Sequence, residues 1–146
     1  MDLHFDHKRF EDLGLRELYA ILQLRDEVFV VGQKITAEPE VDGLDPQCVH
    51  VMGRNAAGRL VATARLFVDE QPIVVGRVAV AISAQRRGVG TQLMRYVHTV
   101  LCDRPARLSA QAHLESWYAA LGWIAYGEPY FEANIPHIGM KRPGKA

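Results

Sequence analysis

One stretch limits what this chain can become more than any other. Gly76-Arg77-Val78-Ala79-Val80 is followed within a few residues by Gln85-Arg86-Arg87-Gly88-Val89-Gly90-Thr91. It reads as a buried strand, a short turn, and a helix that opens on glycines with two arginines just ahead of them. The first turn of a helix carries unpaired backbone N–H groups and a partial positive charge, so this arrangement predicts an anion site, above all for phosphate. Gly88 and Gly90 let the backbone approach an anion closely and take positive φ where needed. Arg86 and Arg87 supply charge for a diphosphate and for a further phosphate. No Gly-Lys-Ser/Thr follows the glycines, which excludes a P-loop, and no third glycine stands near Leu93, which excludes a dinucleotide fingerprint. The plainer alternative is a basic turn capping an ordinary surface helix.

The remaining composition narrows the class. At 146 residues the chain fits one domain, spanning 1–146, with room for a real core. Lys and Arg number 17 and Asp and Glu also 17, and this balance argues against a general nucleic-acid binder. The arginines before the glycines are therefore a local feature. The two cysteines, Cys48 and Cys102, lack CxxC spacing, so neither a disulfide framework nor a structural zinc site is expected, and no metal ligand set is assigned. The first residues carry no basic and apolar leader, and no apolar run reaches membrane-spanning length. The expected setting is a reducing cytoplasm, with no membrane partner.

Periodicity orders the elements. Residues 3–10 predict a short first strand. Leu13 to Leu18 reads as a helix start with Gly14 at the N-cap, Glu17 at the third position and Leu13 stapled onto Leu18. Leu15, Leu18, Tyr19, Leu22 and Phe29 predict that helix's apolar face, running to about Val31, with Gly32 as its interruption. Lys34 to Pro46 predicts a long loop, either covering a substrate or simply solvated. Strands are expected over 48–54, 60–68 and 73–82, the first two joined by Asn55-Ala56-Ala57-Gly58. The main helix should run from Gly88 or Val89 to Cys102, burying Val89, Leu93, Tyr96, Val97, Val100 and Leu101. A strand over 107–112, a short helix over 114–121 and two closing strands, at 123–126 and 138–141, complete a single α/β layer domain with a mixed sheet.

Several blocks, in this order, carry a family likeness. They are Leu18-Tyr19-Ala20-Ile21-Leu22-Gln23-Leu24-Arg25 with Val28-Phe29-Val30-Val31, then Val75 to Val80, then Gln85 to Gly90 as a Gln/Arg-x-x-Gly-x-Gly/Ala signature. Ala110-Gln111-Ala112-His113-Leu114, Trp117-Tyr118, Leu121-Gly122-Trp123 and Ile135-Pro136-His137-Ile138-Gly139-Met140 follow. Through them the chain resembles the GNAT acyltransferase superfamily over nearly its whole length, and within it the ElaA-like group. One departure is Gly32, where a glutamate before Gln33 is expected in that group. The resemblance implies acetyl transfer from acetyl-CoA to an amine of a small molecule, peptide or protein. It implies two central parallel strands splayed into a V, with the pantetheine arm in the gap. Val78 and Val80 would pair with the pantetheine amides through their backbone, with Ala79 between them. The N–H of Val80 would meet the thioester oxygen, and Gln111 would contact the pantetheine. Many relatives are dimers, so a homodimer is one open assembly state.

The chemistry is then distributed over named groups. Tyr118, seven residues after Gln111, matches the family tyrosine that protonates the departing thiolate. An amine acceptor must lose a proton before it attacks, and His has the unperturbed pKa for that task. His113, nearest in sequence to the cofactor groove, is the first choice as base. His50 and His137 lie in other matching blocks and are further candidates for the base, also read as acceptor contacts, with Glu128 and Glu132 as carboxylate alternatives. Arg65 and Arg77, on adjacent strands, are expected either to bind an anionic group of the acceptor or to form sheet-edge salt bridges. Direct transfer is expected, since neither cysteine lies in a block suited to an acyl carrier. A CoA-binding regulatory protein without turnover is the alternative from another class. A nucleotide-binding module is a third, without a ribose- or base-reading motif.

Overall fold

The computed structural model describes residues 1–145. Seven strands form one sheet: β1 (His4–Arg9), β2 (Val49–Arg54), β3 (Leu60–Phe67), β4 (Ile73–Val80), β5 (Ala106–Gln111), β6 (Ile124–Glu132) and β7 (Ile135–Arg142), in the order β1-β2-β3-β4-β5-β7-β6. Helices are α1 (Leu15–Arg25), continued as a π-helical turn over Asp26–Gly32, then α2 (Val89–Leu101) and α3 (Glu115–Ala120). β3 is buried on both faces, including Thr63 at 1% exposure, because helices cover both sides of the sheet centre.

All neighbouring pairs are antiparallel except β4 and β5, which run parallel. Their pairing is short: Ile73 with Ala106, Val74 with Arg107, Val75 with Leu108. Beyond Val75 the two strands part. The cause lies in β4, where the register against β3 passes from Arg65–Gly76 to Thr63–Ala79, so β4 holds one extra residue. Arg77 occupies this bulge with φ +50, in the left-handed region. A bulge bends and twists its strand, and here the bend turns β4 away from β5 and opens the V expected of the sheet.

The elements follow the sequence pattern with informative differences. Gly14 N–H donates to Glu17 Oε1 at 2.8 Å, as the capping pattern of α1 predicts. Its buried face, however, is not the expected one. Leu15 and Tyr19 are 88% and 72% exposed, whereas Ile21, Leu24, Arg25 and Val28 are buried. A buried arginine displaces the apolar count by about one position, because periodicity scores it as polar. On α2 the core stripe is Val89, Leu93, Met94, Val97 and Leu101, while Tyr96 is only partly buried and stacks on Phe5 at 5.3 Å between ring centroids. The closing strands are longer than the pattern suggests. Pro129, read as a loop residue, sits in the exposed edge strand β6 where its register against β7 slips, a place where a missing N–H costs no ladder bond.

Candidate active site

The V between β4 and β5 is a groove of about 670 Å³. β4 contributes Val75 to Val80, and β5 contributes Leu108, Ser109 and Gln111. One end is closed by the turn ahead of α2, through Gln85, Arg86, Gly88, Gly90 and Thr91. The other carries His137, Glu132 and Ala133 from the β6–β7 hairpin, and α3 supplies Trp117 and Tyr118 to the wall.

The anion-binding turn has the geometry that its sequence calls for. Gly88 caps α2 at φ +77 and Arg86 sits at φ +64, so the backbone curls at the helix start with its N–H groups unpaired within the helix. Gln85 Nε2 donates to the Val80 carbonyl at 3.1 Å and ties the turn to the strand end. Glu27, from the π-helical turn, accepts the Ile82 N–H at 3.0 Å and braces the same junction. Gly90 is small for a packing reason: a Cβ there would stand 3.3 Å from Trp117 Cζ2. Arg87 is exposed and does not line the groove, and Val89, 1% exposed, belongs to the core beneath the turn. Of the two arginines, Arg86 is therefore the groove's cation at this end.

Tyr118 is 5% exposed and wedged edge-on against Trp117 at 4.8 Å and Trp123 at 6.5 Å. Burial alone pushes its phenol up to about 12, so it stays protonated throughout the physiological range. Gln111 Nε2 donates to Gln33 Oε1 at 2.9 Å, a contact between β5 and the chain just after the π-helical turn. Gln33 lines the groove, yet sequence reading assigned it no role, because a glutamine beside Gly32 carries no motif of its own. Gly32 itself is exposed and does not line the groove, and a Cβ there would come within 3.0 Å of the Glu27 carbonyl oxygen.

The acceptor-side assignments divide. Arg65 and His50 are not groove residues, which corrects their reading as substrate contacts. Arg65, 5% exposed, donates to Asp42 Oδ2 at 2.7 Å and Asp45 Oδ1 at 3.0 Å. His50, fully buried, places Nε2 3.0 Å from the Asp45 carbonyl oxygen, and its desolvation lowers the ring's pKa and keeps it neutral. Arg77 does line the groove, but its Nε donates to Glu40 Oε2 at 2.7 Å. Glu40 also takes Arg25 at 2.8 Å, and Asp45 takes Arg25 Nη1 at 2.8 Å. The acidic loop after α1 is thus pinned to the sheet by Arg25, Arg65 and Arg77, the salt-bridge alternative of the sequence reading. Strong hydrogen bonding from Arg65 holds the Asp42 carboxyl well below the usual range, against the opposing effect of burial. Burial raises Asp45, and the bonds and charge of Arg25 and Arg65 outweigh it to leave a net lowering. Cys48, beside this cluster, has its thiol pushed up to about 11 by burial, which makes it a poor nucleophile.

His113 lines the groove from the turn before α3, where it is exposed. His137 lies directly across from Gln111 in the β5–β7 register and is 7% exposed. Glu132 lines the groove, and Glu128 does not. Among the described residues no group of His, Cys, Asp and Glu is arranged to hold a metal ion, and no helix is long and apolar enough to cross a membrane.

A parallel pair that separates at a bulge, with a helix N-terminus closing one end and a buried tyrosine in the wall, defines an acyltransferase groove. The model of the acetyltransferase (GNAT) domain matches residues 33–143, and the chain belongs to this family. Within it, the chain is 39% identical to Protein ElaA of Escherichia coli over 150 residues, covering 97% of this chain and 94% of that protein. The crystal structure of E. coli ElaA superposes with a TM-score of 0.86 at 37% identity, covering 97% of this chain and 99% of that one. An acyl-CoA N-acyltransferase from Pseudomonas aeruginosa is similar at a TM-score of 0.87 and 44% identity, with 97% and 99% covered. UPF0039 protein C11D3.02c of Schizosaccharomyces pombe is 39% identical over 146 residues, covering 96% of this chain and 97% of that protein.

Proposed function

We propose that this acyltransferase moves an acetyl group directly from acetyl-CoA to an amine acceptor, with Tyr118 as general acid. The observation that carries the reading is the V itself: exposed strand edges beside a helix N-terminus, with a buried neutral phenol between them. Beyond Val75 the backbone of β4 has no β5 partner, so Val78 and Val80 are available to take an extended amide-bearing arm as an added strand. The α2 N-terminus, Gly88, Gly90 and Arg86 suit a diphosphate at the other end of that arm.

The Val80 N–H stabilises negative charge on the thioester oxygen as the acceptor attacks. The C–N bond forms, the C–S bond breaks, and the leaving sulfur takes a hydrogen bond and then the proton from Tyr118. A phenol at about 12 is a weaker acid than a free thiol near ~8.5, so transfer in bulk water would be uphill. The same desolvated wall raises the thiol as well, which narrows the gap. Tyr118 serves first as a hydrogen-bond donor, protonated at rest, and gives up its proton only as the thiolate forms. Supporting the catalytic reading over a silent CoA binder, Tyr118 and the turn residues Gln85, Arg86, Gly88, Gly90 and Thr91 all line the one groove.

The test is thiol release from acetyl-CoA in the presence of a primary-amine panel, run on wild type and Tyr118→Phe. The expected result is a fall in kcat of roughly 100-fold in the variant, with acetyl-CoA affinity unchanged. An active Tyr118→Phe would remove the acid role, and silence of wild type with every amine would favour a binding protein without turnover.

A further inference from the structure

Resting on the acetyl-transfer reading, we propose that His137 takes the proton from the acceptor amine and that Glu132 positions and stabilises it in that role. His137 Nδ1 lies 2.6 Å from the carbonyl oxygen of Ile135. A carbonyl only accepts, so Nδ1 carries the hydrogen, and in the neutral ring Nε2 holds the lone pair. Nε2 lies 3.5 Å from Glu132 Oε2, and both residues line the groove. One nitrogen is locked by the backbone, and the other is open to a proton next to a carboxylate that favours the imidazolium. This is the division of labour that an orienting group and a counter-charge give a histidine base.

The fold fixes the ring further. Tyr130 stacks on it at 6.1 Å and 23° and is itself hydrogen-bonded to Ser109 of β5. His137 pairs with Gln111 in the β5–β7 ladder, at the end of β5 that borders the V. Glu132 ends β6, paired with Ile135 across the tight turn formed by Ala133 and Asn134, both at positive φ. His113, the choice from sequence, also lines the groove, but it is exposed and makes no side-chain hydrogen bond among the described residues that would hold one tautomer. The other titratable groups lining the groove are Glu38, Glu40, Arg77, Arg86, His113 and Tyr118, and Arg77 and Glu40 already neutralise each other at 2.7 Å.

The step balances. The acceptor ammonium loses one N–H proton to His137 Nε2, and the freed lone pair forms the C–N bond at the thioester carbon. As the C–S bond breaks, the sulfur takes a proton from Tyr118. The amide nitrogen sheds its surplus proton to water, His137 returns its own, and Tyr118 is reprotonated. One proton is released per turnover.

The experiment uses the whole chain, acetyl-CoA and two nucleophiles: 1,4-diaminobutane, an ammonium at neutral pH, and hydroxylamine, which is largely neutral there. His137→Asn keeps an amide nitrogen where Nδ1 stands and so preserves the bond to Ile135. It is expected to lose roughly 100-fold in kcat/KM with diaminobutane and less than about 3-fold with hydroxylamine. Glu132→Gln should lose roughly 10-fold in kcat with diaminobutane, with KM little changed, and less than about 3-fold with hydroxylamine. Acetyl-CoA affinity, measured on the same samples, should stay within about twofold for both variants. Equal losses with the two nucleophiles would overturn the base role. A Glu132→Gln loss that falls on KM and leaves kcat unchanged, or that is equal for the two nucleophiles, would overturn the pairing. Wild type that fails to bind acetyl-CoA would instead overturn the transferase reading on which the proposal rests.

Discussion

Arg25 at 1% exposure and Arg65 at 5% are both buried, and both are paired. Neither burial was legible from sequence. A charged residue in a hydrophobic pattern reads as solvent-facing, and its partners Glu40, Asp42 and Asp45 lie in a loop whose conformation no periodicity specifies. Such pairs gain little over an apolar core, but removing one partner strands the other charge. Asp42→Asn should therefore cost about 2 kcal/mol at pH 7 in urea unfolding. The pH dependence has a definite sign. Because Asp42 is depressed in the folded state, its contribution is present above the ordinary Asp range and is lost as pH falls through the folded value. The gap between wild type and variant should thus shrink below about pH 4. A gap that stays constant from pH 7 to pH 3 would contradict the assignment.

Tyr118 shows the opposite case at the same scale. Its place in the chain and its likeness to a family tyrosine were readable, and the structure adds the burial that keeps it neutral. His137 was readable only as one histidine of several. What distinguishes it is a backbone carbonyl two residues away and a carboxylate across a hairpin turn, neither of which spacing alone reveals.

Among the elements, the strand–turn–helix unit was the most legible, because it needs glycine, helix dipole and charge at fixed spacing. The structure places Gly88, Gly90, Arg86 and Gln85 along the groove and moves Arg87 and Val89 off it. Gly90 was read as a residue that admits an anion, and it also makes room for Trp117. Gly90→Val should push the indole out of place, lower Tm by a few degrees and weaken acetyl-CoA binding roughly 10-fold or more. Near-native affinity in that variant would show that the turn tolerates a side chain and that the packing argument is wrong. The bulge in β4 had no such signature. Arg77 adopts positive φ without being glycine, and the hold of Glu40 on its guanidinium is what the structure offers to offset the strain. The α1 face was misread by the same blindness to buried charge.

For the whole molecule, the order of elements was enough for a mixed α/β sheet, and the resemblance supplied the V. The sequence could not show where the parallel pair ends. That boundary, after Val75 and Leu108, follows from one extra residue in β4 and sets the length of groove open to a cofactor arm. The loop pinned by Arg25, Arg65 and Arg77 supplies Glu38, Pro39 and Glu40 to the groove wall, so the ionic layer also shapes the groove. The most direct measurement is calorimetric titration of acetyl-CoA into wild type, Arg86→Ala and Arg87→Ala. The account predicts binding on the order of micromolar in wild type, a loss of about 10-fold or more in Arg86→Ala, and little change in Arg87→Ala. Absence of binding to wild type, or equal losses in the two variants, would contradict the placement of the cofactor along this groove.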